Sequence, residues 1–472
     1  MIALIIRKEV LENILSLRFA LSLLLVVATF AVGGFAFVSK YQQQVQDYSV
    51  DSNRSLTAVR DRTTRLYRLA LHKQEVYRAP KPLTLCVEGF EKSMPNYYRL
   101  NAFSRELPEI RGRTNALMFG FFDVDWVFIV SLFLSFGALV FAHDSLCGEK
   151  EAGTLALLLA GSVPRYEILL GKYIAITLTL GIPMLVGILV NLLIVTRSAA
   201  VAIHTGEWLK ILVIVLMSFL YLSVFVLLGM FVSSRAKRSV ISMVVLLFVW
   251  VGLVMVVPSS GRTIAQAFRT VPTQAELQKQ INDAMGRLWN DCVAGKYGEK
   301  AGMATPNVDE CDPPARAQWR NDASEQRNRM IDEHVNRMIA QVATGRQFTR
   351  ISPAEIYRQA CETIAGTGVQ RFAQLCRQRA RYQNELKEYI CSRDSEDPAS
   401  LHLPSDDNYA AGAWKTISHA SVDFDTVPKF HEQDLALGES MKLAVWDIGL
   451  LVLFNLVFFA AAWISFMRYD VR

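Results

Sequence analysis

Six stretches of the chain carry long apolar runs with almost no charge, and they constrain the fold more than any other feature. They cover residues 19–38, 126–142, 173–195, 211–232, 240–257 and 448–467. About 20 apolar residues in an α-helix cross the hydrocarbon core of a bilayer. The second and fifth stretches are near the short limit, so we expect them to extend into their flanks. The sequence therefore predicts an all-α polytopic membrane protein with six transmembrane helices.

The overall composition agrees with this prediction. The chain is 52% hydrophobic and 20% charged, whereas soluble domains carry about 25% charged residues. The first stretch is too long for a signal peptide and lacks a small-residue cleavage site after it, which favours a permanent anchor. The net charge of +6 is scattered, without a basic stripe interleaved with aromatic residues, so no nucleic-acid partner is expected.

Lysine and arginine in the short connections predict the orientation. With six spans they all fall on one side, and the positive-inside rule makes that side the cytoplasm. These residues are Arg7, Lys8, Arg18, Lys150, Arg165, Lys172, Arg235, Lys237, Arg238, Arg468 and Arg472. We therefore expect a multi-pass protein of the bacterial inner (plasma) membrane with both termini in the cytoplasm.

The polar stretches between the spans predict five regions. Residues 1–38 form an interfacial helix and span one, and residues 39–125 form a first extracytoplasmic loop. Residues 126–257 hold spans two to five, with a charged segment at 144–172 on the cytoplasmic side. Residues 258–441 form a second, mostly helical extracytoplasmic loop, and residues 442–472 form span six and the tail. Neither loop has a rich core of its own, so both are expected to pack into one extracytoplasmic domain, here called the polar domain.

Local patterns predict some elements of the polar domain. Ser352 followed by Pro353 is typical of a helix start, and the Gly366 region is typical of a helix end. Ile331, Val335 and Met338 recur at helical spacing. Residues 83–87 have the composition of a short β-strand.

Cysteine placement predicts disulfides in the polar domain. An even number of cysteines in an oxidising compartment favours pairing, and Cys292 with Cys311 is the best local candidate. Six cysteines allow 15 pairings, so the other partners stay open, and buried free thiols are the alternative. The six candidates are Cys86, Cys292, Cys311, Cys361, Cys376 and Cys391.

Catalytic motifs are not found in the sequence. The string at Gly171-Lys172 lacks the upstream glycine and the hydroxyl of a phosphate-binding loop. The seven histidines form no HExxH motif, so no metal site is expected. No acidic or basic residue lies near the middle of a span, which disfavours ion-driven transport. We therefore predict that the chain is not an enzyme and holds no cofactor.

Three positions inside the spans have side chains that bend helices or form hydrogen bonds. Pro183 is expected to bend span three, whereas Asn191 and Asn455 can bond between helices. The alternative is that these residues line a translocation path.

The charged segment has the features of a docking element. Glu149 and Glu151 lie on a short acidic helix, Gly153 and Thr154 turn the chain into an apolar stretch that begins at Leu155, and Pro164 ends it. An anionic membrane leaflet would repel the glutamates, whereas the groove of a soluble protein would accept such a helix. An interfacial helix that binds lipid headgroups is the alternative.

These residues resemble the loop after the second span in ABC-2 type ABC transporter permeases. Lys150 replaces the usual arginine, and Arg7-Lys8-Glu9 is similar to the interfacial helix of that family. The matching residues are Asp144, Glu149, Glu151, Gly153, Thr154, Leu155, Pro164, Arg165, Gly171 and Lys172. The chain also resembles a subgroup of this family that has a large domain of unknown function between spans five and six. The similar positions are residues 77–80, 82–83, 89, 352–354, 365–367 and 428–430.

The resemblance implies the partners and the activity. It implies a homodimer or heterodimer of permeases in membrane lipid. Separate cytoplasmic ATPase subunits would bind ATP and magnesium and would also bind the charged segment. The expected function is ATP-driven export of a hydrophobic, amphipathic or lipid-linked substrate. The alternative is a mechanical transducer that moves an extracytoplasmic protein partner without transporting a substrate. A third hypothesis is a receptor that senses a signal through its polar domain and transports nothing.

Overall fold

A computed structural model of the chain describes residues 2–111, 124–154, 164–302 and 312–468. Its α-helices are α1 (Ile2–Ile14), α2 (Leu17–Arg62), α3 (Leu66–Leu71), α4 (Trp126–Ile129), α5 (Ser135–Ala142), α6 (Cys147–Glu151), α7 (Arg165–Thr196), α8 (Thr205–Arg235), α9 (Ser239–Trp250), α10 (Val257–Phe268), α11 (Gln274–Val293), α12 (Pro313–Thr349), α13 (Pro353–Ala365), α14 (Val369–Ser395), α15 (Asn408–Ala413) and α16 (Leu437–Met467). Strands β1 (Gln74–Tyr77) and β2 (Tyr97–Leu100) pair antiparallel, with Gln74 opposite Leu100. π-Helical turns join α4 to α5 and α9 to α10.

Six helical stretches in the described part of the chain are long and apolar enough to cross a membrane. Spans one, three, four and six are α2, α7, α8 and α16. Span two covers Trp126–Glu151, and span five covers Ser239–Phe268. Each contains one of the predicted apolar stretches, so the prediction of an all-α polytopic protein with six spans is confirmed.

Helix α2 is much longer than its apolar part. It runs for 46 residues, or about 69 Å. The helix continues past the apolar part because residues 39–62 contain no glycine or proline, the residues that most strongly end a helix. Its far half reaches the polar domain, where the Ser55 hydroxyl donates to the carbonyl of Glu75 at 2.6 Å. Span one and part of the polar domain are therefore one continuous rod.

The predicted strand at residues 83–87 is wrong. Pro82–Leu85 form a 3₁₀ turn, because a proline at the first position fixes a helical backbone angle. The strands of this loop lie on either side of that turn, at β1 and β2.

Helix α13 begins and ends where the sequence predicts. The Ser352 hydroxyl accepts from the backbone N–H of Glu355 at 3.3 Å, and Pro353 lies in the first turn. Gly366 has a φ of +73°, a conformation that favours glycine, and ends the helix. The apolar side chains of α13, such as Ile356 and Ile364, belong to the same core as those of the spans.

The predicted disulfides are not present among the described cysteines. Cys86, Cys292, Cys361, Cys376 and Cys391 are free thiols, and Cys311 lies outside the described residues. A disulfide requires two Cβ atoms about 4 Å apart. Cys376 and Cys391 are both on α14, at a rise of about 22 Å from each other. The prediction rested on compartment and number, and even Cys86 and Cys361, which lie in the same core, are free thiols.

Candidate coupling site

The charged segment leaves span two through the five-residue helix α6. Gly153 follows with a φ of +71°, which turns the chain away at a conformation that favours glycine. Residues 155–163, including Leu155, lie outside the described residues. Pro164 precedes α7, and Arg165 is its first residue.

Lys172 joins three elements at this end of the spans. It lies on α7, its side chain is 3% exposed, and its Nζ donates to Glu9 Oε1 at 2.8 Å and to Glu149 Oε1 at 2.7 Å. Those carboxylates belong to α1 and α6. The neighbouring Gly171 allows this approach, because a Cβ there would lie 2.8 Å from Cγ2 of Ile5 on α1. The N-terminal helix, α6 and span three are therefore held together around one buried ammonium.

Serine residues attach α6 to spans four and five. The Ser233 hydroxyl accepts from the backbone N–H of Leu146 at 3.1 Å and of Cys147 at 3.0 Å. The Ser239 hydroxyl donates to Glu151 Oε2 at 2.5 Å. Ser233 lies near the end of α8 and Ser239 begins α9. Lys150 adds a hydrogen bond to the carbonyl of Ser234.

Two arginines extend these connections to the remaining spans. Arg18 at the start of span one pairs with Asp144 at 2.8 Å. Arg165 donates to the carbonyl of Met467, the last residue of span six, at 2.9 Å. The charged segment, which itself continues span two, therefore contacts the ends of all the other spans. A displacement of this segment acts on the whole bundle.

The predicted residues divide into an inner and an outer set. Asp144, Glu149, Lys150 and Arg165 are half-buried and bind other parts of this chain, whereas Glu151, Gly153 and Thr154 are exposed, with Glu151 accepting only from Ser239 in the described part of the chain. Glu149 and Glu151 are two positions apart on a helix, so their side chains do not face the same way. This spacing is visible in the sequence and could have predicted that the two glutamates have different surroundings. On α1, Arg7 and Lys8 are exposed and Glu9 points inward to Lys172.

The polar residues inside the spans connect helices. Asn191 is buried, accepts from the indole N–H of Trp126 at 2.9 Å and donates to the carbonyl of Phe30 at 2.6 Å, which joins spans one, two and three. Asn455 donates to the carbonyl of Leu220 in span four at 3.0 Å. Pro183 is buried within α7. These contacts favour interhelical bonding over the lining of a path.

A second cluster, which sequence reasoning missed, lies at the opposite end of the spans on α13. Arg358 forms a bidentate pair with Glu355, at 2.6 and 2.9 Å, and reaches Glu362 Oε1 at 2.6 Å. Arg346 on α12 forms an ion pair with the other oxygen of Glu362, a fully buried side chain. The buried carboxylate of Glu362 is thus paired with an arginine at each of its oxygens, as a buried charge requires.

The same helix also contacts the spans directly. The Tyr357 hydroxyl is 2.7 Å from the hydroxyl of Ser218 in span four, and its ring stacks on Tyr221 with centroids 4.6 Å apart. Arg350, at the end of α12, pairs with Asp447 in span six at 2.8 Å. Helix α13 is therefore fixed between the polar domain and spans four and six.

The residues that resemble the subgroup with a large domain meet at this junction. Arg371 donates to the carbonyl of Ala79 at 2.7 Å, and the N–H of Phe90 donates to the carbonyl of Thr367 at 3.2 Å. Gly89 is required because a Cβ there would lie 2.7 Å from Glu362 Cγ. These positions lie far apart in the sequence and converge where the two long loops join.

Six apolar helices, tied together at one end by a charged segment and at the other by a polar domain, define a multi-pass membrane protein of the transporter class. Residues 3–471 match the ABC-2 family transporter protein, and the chain belongs to this family. It is thus the membrane component of an ABC transporter, as the sequence resemblance indicated. No curated protein matches the chain.

Proposed function

We propose that the chain is the permease subunit of an ATP-driven exporter, and that a separate cytoplasmic ATPase binds its charged segment. The supporting observation is that residues 151–154 are exposed, while the rest of the same charged segment contacts every other span through Asp144, helix α6 and Arg165. An ATPase that binds ATP in one conformation more tightly than in the other supplies the free energy, and the segment passes that difference to the spans. This places the segment and both termini in the cytoplasm, with the polar domain outside the inner membrane.

The distribution of burial suggests where cargo and a second permease make contact. Only 22% of the apolar window is buried in span one, and 17% in spans five and six. These faces are therefore open to lipid, to a second permease or to an apolar substrate. We propose a homodimer or heterodimer of permeases that exports a hydrophobic, amphipathic or lipid-linked compound.

The substitution Glu151→Lys tests the docking role. Glu151 is exposed and accepts a single hydrogen bond among the described residues, from Ser239, so its charge reversal disturbs a partner more than the fold. The full chain, tagged and purified from membranes of its own host, is expected to recover an ATPase subunit, identified by mass spectrometry and ATP hydrolysis. Recovery should fall about tenfold with the variant, a loss of roughly 1.4 kcal/mol.

Glu12→Lys on α1 is the matched control, because Glu12 is an exposed carboxylate of the same end of the molecule. It should recover the ATPase at the wild-type level. Equal recovery with Glu151→Lys would contradict docking at this segment, and so would photocrosslinks from position 151 that capture only lipid.

A mechanical transducer is the second candidate, and the continuous helix α2 favours it. A rod of 46 residues carries any tilt of span one directly into the polar domain. Reconstituted permease and ATPase distinguish the two candidates. An exporter accumulates its substrate across the vesicle membrane during ATP hydrolysis. A transducer is stimulated by an extracytoplasmic protein, and nothing accumulates.

A further inference from the structure

A buried arginine in the polar domain has no hydrogen-bond acceptor. Arg379 lies on α14, and its residue is 1% exposed. Its guanidinium lies over the ring of Tyr98, 5.1 Å from the centroid. No residue in the described part of the chain accepts from its Nε, Nη1 or Nη2. By contrast, Arg371 on the same helix is fully paired with Glu91 and Glu432.

The contact with Tyr98 does not replace the missing acceptors. A cation–π contact uses the face of the guanidinium, whereas its five N–H donors point outward in its plane. An arginine keeps its proton at any physiological pH, so burial cannot be relieved by deprotonation. An unpaired charge in this position therefore indicates that an anionic acceptor comes from outside the described chain.

A second arginine adjoins the first and is only partly paired. Arg105 Nη2 is 3.0 Å from Asp332 Oδ2, but its Nε and Nη1 are buried without an acceptor among the described residues. Burial, together with the charge of Arg379, lowers the pKa of the Arg105 guanidinium. The Asp332 side chain is 41% exposed, so Arg105 lies between the buried Arg379 and the surface of the domain.

The neighbouring groups do not provide a counter-ion for Arg379. Burial raises the pKa of the Cys376 thiol and the pKa of the Tyr98 phenol, so both stay protonated and neutral. Glu91 and Glu432 are held by Arg371, and Asp332 is held by Arg105. Asp332 pairs with Arg105 alone, and the positive charge of Arg379 is left without a carboxylate partner among the described residues.

We propose that Arg379 and Arg105 form a binding site for a small oxyanion, such as phosphate, sulfate or a carboxylate. Pairs of N–H donors on two neighbouring guanidinium groups match the geometry of two oxygens on one ion. Water would satisfy some donors but would not neutralise the charge. The ion enters from the side of Asp332, whose carboxylate it replaces at Arg105. The site belongs to the polar domain and is independent of ATPase docking at the other end of the spans.

Thermal unfolding of the purified full chain in sodium phosphate and in sodium chloride, at equal pH and ionic strength, tests the proposal. An ion that binds only the folded state raises the transition temperature steadily with the logarithm of its concentration above Kd, by roughly 1–2 °C at about tenfold excess. Arg379→Met should abolish this dependence. Arg393→Met is the matched control, since Arg393 lies on the same helix and pairs with Glu396 in solvent. It should respond like the wild type.

Arg105→Gln keeps the test decisive if Arg379→Met does not fold. It retains Arg379 and removes the charge nearer the surface, so phosphate affinity, measured by calorimetric titration, should fall about tenfold or more. The proposal is overturned if the wild type shows no saturable response to phosphate, sulfate or acetate. It is also overturned if both arginine variants keep the wild-type response. In either case buried water, not an ion, accepts the hydrogen bonds of the Arg379 and Arg105 N–H groups.

Discussion

The two ends of the span bundle are both held by buried charge, but in different ways. At the charged-segment end, Lys172 connects α1, α6 and α7, and the chain beyond α6 is exposed from residue 151 to residue 154. At the polar-domain end, Glu355, Arg358, Glu362 and Arg346 pair among themselves. There α13 is enclosed between the spans and the polar domain.

This difference supports the proposal that an ATPase acts on the charged-segment end, and it predicts that the polar-domain end moves as a unit. A short helix with one exposed side and single contacts to several spans can shift and take the spans with it. The charge network joins α12 to α13 and cannot open without leaving buried charge unpaired, and the contacts of Tyr357 with Ser218 and of Arg350 with Asp447 join these helices to spans four and six. This arrangement is consistent with the proposed function, in which the ATPase acts on the charged segment and the polar domain follows the spans.

Removing the central carboxylate of the polar-domain network should have the largest effect. Glu362→Leu leaves the buried Arg346 without its carboxylate partner, whereas Arg358, whose side chain is 37% exposed, keeps its pair with Glu355. We expect a loss of about 3–5 kcal/mol in the free energy of unfolding, measured by denaturant titration in detergent. Glu396→Gln is the control, because this carboxylate is exposed and its loss should cost under about 0.5 kcal/mol. Similar stability of the two variants would show that the network is not interlocked.

Removing the lysine of the charged-segment end should cost less. Lys172→Met leaves Glu9 and Glu149 facing each other, but both keep some exposure and can be hydrated. We expect a loss of about 3 kcal/mol in the free energy of unfolding. Lys8→Met, in an exposed pair with Glu12, is the control and should be near neutral.

A double substitution sharpens this second prediction. Adding Glu149→Gln to Lys172→Met removes one of the two unpaired carboxylates. The double variant should therefore be more stable than the sum of the single losses predicts. Strict additivity would show that Lys172 and Glu149 do not interact.

The features that the sequence predicted correctly depend on local signals. Span length is a property of one apolar stretch, and all six spans follow from it. The limits of α13 follow from Ser352, Pro353 and Gly366, each of which acts within a few residues of its own position. The family motif at 144–172 is also continuous, which allowed the candidate site to be found.

The features that the sequence did not predict depend on distant residues. Lys172 and Glu9 are 163 residues apart, and Arg371 and Glu91 are 280 apart, so no local pattern indicates either pair. The docking role of Glu149 stays a prediction, and its pair with Lys172, 23 residues away, is a contact that the motif alone does not indicate. The disulfides were inferred from cysteine number and compartment, and neither fixes the distance between two thiols.

Tyr357 provides a smaller test of the polar-domain end. Tyr357→Phe removes the hydrogen bond with Ser218 and keeps the stack on Tyr221. We expect a loss of about 1 kcal/mol in the free energy of unfolding, because the Ser218 hydroxyl can still donate to the carbonyl of Ile214. Tyr389→Phe is the control, since its hydrogen bond to Thr426 is exposed. If Tyr389→Phe lost more free energy of unfolding than Tyr357→Phe, the hydrogen bond between α13 and span four would not be a significant contribution to stability.

Charge reversal at Glu151 should have the smallest effect on stability. The exposed carboxylate accepts one hydrogen bond from Ser239, so Glu151→Lys should change the free energy of unfolding by less than about 0.5 kcal/mol. Glu149→Lys, two residues away, places a second ammonium beside buried Lys172 and should cost several times more. Denaturant titration of both variants separates the two roles. If they are equally destabilising, α6 has no distinct inner and outer face, and the exposed side of the charged segment is not free for a partner.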